Sequence, residues 1–148
     1  MFPFSAIAVD RNMANVLKAG IFYCLGVFML GFVLGALRML FLVPYAGPVV
    51  AVLIEVPVML VFAWFFCRML TRRFAIPPEP YERLVMGLVA FACLMAGEML
   101  IALFLQQRSL TDFLMAFDLP ENRIGLGGQI AFALFPVIQC YTERRTER

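Results

Sequence analysis

The sequence predicts an all-α integral membrane protein, a four-transmembrane-helix bundle with a short amphipathic helix on its outer face between helices three and four. Three observations lead there. Hydrophobic residues fill 64% of the 148 positions and charged residues only 15%, with a mean hydropathy of +0.91, a balance far from that of soluble domains. The apolar residues gather into four runs, 16–42, 48–66, 84–105 and 124–141, and a crossing needs about 20 such residues. Basic residues are divided unequally between the gaps separating these runs. One transmembrane domain covering residues 1–148 accounts for the whole chain.

The first run exceeds the h-region of a signal peptide and ends in Arg38-Met39-Leu40 with no small-residue cleavage site, so it is expected to stay attached as a span. Within it Gly31, Gly35 and Arg38 share one helical face, and small residues four apart let helices approach closely in lipid. The second run carries Glu55 and Pro57. Proline cannot donate to the carbonyl of Leu53, so a kink beside the acid is expected, either a binding site or hinge or an ordinary proline bend. The Pro-rich stretch from Ala75 to Tyr81 that follows reads as a stiff connector, a spacer rather than a docking motif.

The third run holds a second small pair, Ala92 and Ala96, and an acid, Glu98. These pairs, like Gly31 and Gly35, are expected to pack within the bundle, with a homodimer interface as the alternative. After it, Ser109 and Asp112 have the N-cap and acidic N3 pattern of a helix start, and Leu110, Phe113, Leu114 and Phe117 recur at helical spacing. The predicted interfacial helix, residues 109–117, either lies in the lipid interface or caps the bundle. The fourth run is the shortest and is interrupted by Gly125, Gly127, Gly128, Gln129 and Pro136.

Nine of the 12 basic residues, Arg11, Lys18, Arg68, Arg72, Arg73, Arg83, Arg144, Arg145 and Arg148, fall on one side of this arrangement, and Arg38, Arg108 and Arg123 on the other. The positive-inside rule then puts both termini in the cytoplasm, which requires an even number of crossings.

Charge inside hydrocarbon is costly and marks a function or a tightly specified contact. Arg38, Glu55 and Glu98 are expected at similar depth in the outer half, where the planar guanidinium of Arg38 can pair with one acid. The second acid needs a proton, a cation, a ligand or water. These three residues and Pro57 are the candidate ligand or ion site, set against a purely structural polar network.

Other chemistry finds little support. The four cysteines are widely spaced and there is no histidine, so neither a metal site nor any cofactor is expected, and the cysteines read as small packing residues. The two serines, Ser5 and Ser109, lie beside no base in sequence, so no catalytic residue is assigned and catalysis is not expected. A net charge of +2 with basic residues flanking apolar runs leaves no nucleic-acid stripe.

Gly35-Ala36-Leu37-Arg38 followed by Pro44, then Glu55-Val56-Pro57-Val58-Met59-Leu60, Ser109-Leu110-Thr111-Asp112-Phe113-Leu114 and Ala133-Leu134-Phe135-Pro136 resemble a group of small, uncharacterised four-span bacterial inner-membrane proteins. The resemblance implies that membrane and that architecture, and no activity. The function expected is an accessory or binding subunit of a larger membrane complex, or a homo-oligomer, or a binder of lipid or a small ligand through the outer polar pocket. The alternative is a proton- or cation-coupled carrier using the two glutamates, although no inverted repeat is recognisable.

The charge asymmetry makes a direct prediction. Reporter fusions after Arg73 should report cytoplasm and a fusion near Asp118 the outer side; a cytoplasmic signal at Asp118 would refute the four-span arrangement.

Overall fold

A computed structural model describes the backbone of residues 4–146 and the side chains of residues 12–145, so Arg148 and the side chains of Ser5 and Arg11 lie outside what is described. It is all-helical, with no strand among those residues. Helix α1, Phe4–Leu37, runs through a π-helical turn, Arg38–Leu42, into α2, Val43–Arg73. Helix α3, Pro80–Leu100, ends in a second π-helical turn, Ile101–Leu105. The short α4, Leu110–Met115, closes in a 3-10 turn, Ala116–Asp118, before α5, Pro120–Thr146.

Among the described residues three helical stretches are long and apolar enough to cross a membrane: Asn12–Arg73, Pro80–Leu105 and Pro120–Arg145. The first holds 62 residues, which at 1.5 Å per residue would extend about 90 Å if straight. It is not straight. Gly47, at φ 76° and ψ 165°, occupies a left-handed backbone region open to glycine, and Pro48 restarts the helix after it. The chain therefore doubles back: Phe22 stacks on Phe74 at 5.7 Å between centroids, Gly26 faces the ring of Phe66, and Gly31 faces the end of Met59.

The turn differs from the sequence expectation in two respects. No separate loop divides runs one and two, because the π turn and the short helical stretch from Val43 lead directly to Gly47. Pro57 keeps helical dihedral angles, so the break falls at Gly47 and not beside Glu55. A π turn is wide, and this one absorbs Pro44, whose ring cannot sit against the carbonyl of Leu40 in a regular helix.

The core lies where α1, α3 and α5 meet α2. Val16, Ala19, Tyr23, Ala63, Cys67, Met86, Ala90 and Phe132 are buried together. The tightest approaches are made by glycines other than those expected: a Cβ at Gly87 would overlap the backbone carbonyl of Ala133, and one at Gly26 would overlap Phe66. Ala92 and Ala96 are exposed, and a Cβ at Gly35 would meet nothing within 4 Å. The expected intrabundle packing is thus not found at these three positions; on α3 the face turned inward is the one bearing Met86, Gly87, Ala90 and Leu94. Of the four residues, Gly31 alone faces a neighbouring helix closely, since a Cβ placed there would lie 3.2 Å from the end of Met59.

Pro136, fully buried in α5, has no N–H for the carbonyl of Phe132, four residues earlier. Tyr23 of α1 supplies the missing donor, its hydroxyl lying 3.1 Å from that carbonyl oxygen with the two rings 4.4 Å apart. A proline inside an apolar helix is tolerated when a neighbour satisfies the freed group.

Tyr23→Phe should therefore destabilise the fold by about 1 to 3 kcal/mol, the cost of a buried acceptor left unmade. In a Pro136→Ala background, where the backbone N–H is restored, the same change should cost much less. Equal costs in reversible unfolding of the two backgrounds would show that the hydroxyl is not answering the proline.

Candidate functional site

Arg38 opens the first π turn and extends its side chain back to Glu55 on the returning helix, with Nε 3.0 Å from Oε2. Side-chain exposures of 29% and 15% leave both groups only partly in contact with solvent. The N–H is not directed at that oxygen, and neither atom has an aligned hydrogen-bond partner among the described residues. Charge rather than a directed hydrogen bond joins them.

Glu98, three residues before the second π turn, is held by a different element. Gln129 of α5 donates from Nε2 to Glu98 Oε1 at 2.6 Å. No cation lies within 4.0 Å of Glu98 among the described residues, and Gln129 Oε1 is buried without a donor. The three ionisable residues are thus divided into an Arg38–Glu55 couple and a Glu98–Gln129 couple. A Cβ at Gly128, next to Gln129, would touch Val56, next to Glu55, at 3.1 Å, which places the two couples at one level of the helix stack. Pro57 is exposed at the same level and contributes no polar contact.

Gln129 is the residue of this polar level that sequence reasoning misses. Its signal is present, an amide in the middle of an apolar run, but beside three glycines it reads as one more interruption of the fourth span.

Between α3 and α5 the short α4 begins with a reciprocal cap. The Asp112 amide donates to Ser109 Oγ at 3.1 Å, and the Ser109 amide donates to Asp112 Oδ2 at 3.1 Å. The Ser109 hydroxyl and amide hold the Asp112 carboxyl below the ordinary aspartate range. Leu110 and Leu114 are exposed, while Phe113 and Phe117 are half-buried and pack edge to face at 5.4 Å.

A second polar assembly occupies the opposite end of the helices, where the sequence suggested only a connector and orienting charges. Helix α2 closes with the Ile76 amide donating to the Thr71 carbonyl and the Ala75 amide to that of Arg72, a Schellman ending with Ala75 at φ 49°. Arg83 is 2% exposed. It donates from Nε to the Pro77 carbonyl at 3.1 Å and from Nη2 to the Ile76 carbonyl at 3.2 Å and to Glu143 at 2.9 Å. Arg144 adds a bond to the Pro78 carbonyl and a 2.8 Å contact with Glu79. The proline segment is therefore clamped to α5 rather than acting as a free spacer.

The ion pair generates a coupling prediction. Arg38→Ala should destabilise the fold more than Arg38→Ala combined with Glu55→Gln, by on the order of 1 to 3 kcal/mol, since the single change strands a part-buried carboxylate. Additive effects in reversible unfolding would show that the pair carries no coupling.

Nothing matches this chain among family models, curated proteins or solved structures.

Proposed function

We propose that this chain is a four-crossing helical protein of a bacterial inner membrane, with both termini cytoplasmic. In this reading it has no catalytic role and binds a partner, a lipid or a small ligand at the outer polar level. The doubling back at Gly47 supports two crossings within the first long stretch, and the nine-to-three division of basic residues supports the orientation. In the same reading α4, with Leu110 and Leu114 exposed, rests on the outer interface.

The observation that carries the binding role is the state of Glu98. Its carboxylate has an amide for a neighbour and no cation among the described residues, while an ion pair at the same level uses up Arg38 and Glu55 against each other. A structural network has no need of a lone acid there. Glu98 and the donorless Oε1 of Gln129 suit something that brings N–H groups or positive charge. The same uncompensated acid supports a second reading, a proton- or cation-coupled carrier, which in so small a chain would require a homo-oligomer.

Glu98→Gln tests the proposal. Thermal stability should stay close to wild type, while the partner or lipid retained in a native pull-down, identified by mass spectrometry, should be lost. Loss of proton uptake in liposomes instead would favour the carrier. A variant matching wild type in both assays would reduce Glu98 to structural polarity.

A further inference from the structure

We propose that the cleft at the α2–α3 end of the molecule, away from the outer polar level, is a binding site for the phosphate group of an anionic phospholipid. A cavity of about 470 Å³ opens there, bordered by Thr71, Arg72, Ile76, Pro77, Arg83 and Glu143. The side chain of Arg83 is only 3% exposed, and its Nε and Nη2 are committed to two carbonyls and to Glu143. Its Nη1 has no partner among the described residues. A buried guanidinium nitrogen lacking an acceptor, in a residue that borders a cavity, calls for an acceptor from outside the chain.

Charge and position favour a phosphate. Two guanidiniums, Arg72 and Arg83, border the cleft against one carboxylate, Glu143, which Arg83 already engages. The negative end of α2 is muted, because the Schellman amides take the carbonyls of Thr71 and Arg72. Arg68 and Arg73, both exposed, lie on the same last turns of α2 and add to the positive surplus. The cleft lies where the long apolar stretches end, the level at which basic pockets between helices meet lipid headgroups. A free phosphate ion would offer the same oxygens, but the location at the end of the apolar helices favours the lipid.

The test uses the full chain in nanodiscs containing equal amounts of phosphatidylglycerol and phosphatidylcholine, with retained lipids read by native mass spectrometry. Wild type should retain phosphatidylglycerol preferentially, and Arg72→Gln should cut that preference about fivefold, the worth of one guanidinium near anionic lipid. Glu143→Gln, which keeps an acceptor for Arg83 but removes the opposing charge, should raise it. Arg73→Gln, one residue away but outside the cleft lining, should lower it by much less than Arg72→Gln does. Absence of any preference in wild type would overturn the proposal, as would an equal fall with Arg73→Gln, which would assign the effect to diffuse surface charge. Stripping of the lipid by millimolar inorganic phosphate would overturn the lipid assignment in favour of the free ion.

Discussion

A carbonyl oxygen that loses its helical donor among apolar neighbours calls for a donor from another part of the chain, and three irregular points of this fold supply one. Pro136 frees the carbonyl of Phe132, and Tyr23 reaches across from α1 to meet it. The end of α2 frees the carbonyls of Thr71 and Arg72, and the reversal at Ala75 turns two amides back onto them. The prolines at 77 and 78 bring no N–H to the segment, whose carbonyls are gathered by Arg83 and Arg144. Each of these donors comes from another helix or from a reversal of the backbone. The contacts that satisfy the backbone are therefore also the ones that fix how the helices sit against each other.

The same economy shapes the charged groups. Arg38 and Glu55 belong to the two arms of one doubled-back stretch and neutralise each other across it. Glu98 and Gln129 belong to α3 and α5 and are joined by an amide that supplies no charge. The approach of Gly128 to Val56 sets the two couples at one level. One couple is electrically closed and the other carries an acid with no opposite charge among the described residues.

Much of this is legible in the sequence because the signals are local. Apolar runs announce the long helices, and Ser109 with Asp112 announces the cap that the structure forms. The ion pair of Arg38 is also within reach, since it needs only depth and opposite charge. What stays hidden depends on neighbours distant in the chain. Gln129 looks like a flaw in a span until Glu98 is beside it, and Arg83 looks like an orienting charge until the Ile76 and Pro77 carbonyls are seen around it. Ala92 and Ala96 mislead for the opposite reason. Their spacing permits close packing, but the inward face of α3 is chosen by larger partners, among them Met86 and Leu94, and by the approach of Ala133 to Gly87.

The reversal at Gly47 bears on how such a chain would be made. Between Arg38 and Glu55 the sequence passes through Met39, Leu40, Phe41, Leu42, Val43 and Pro44 to the turn, and no charged residue lies between the two members of the pair. A hairpin of this kind presents almost nothing hydrophilic at its tip. If its two arms cross the membrane as proposed, they enter lipid from an insertion channel together, with no soluble loop to be carried through and their opposite charges already matched during entry.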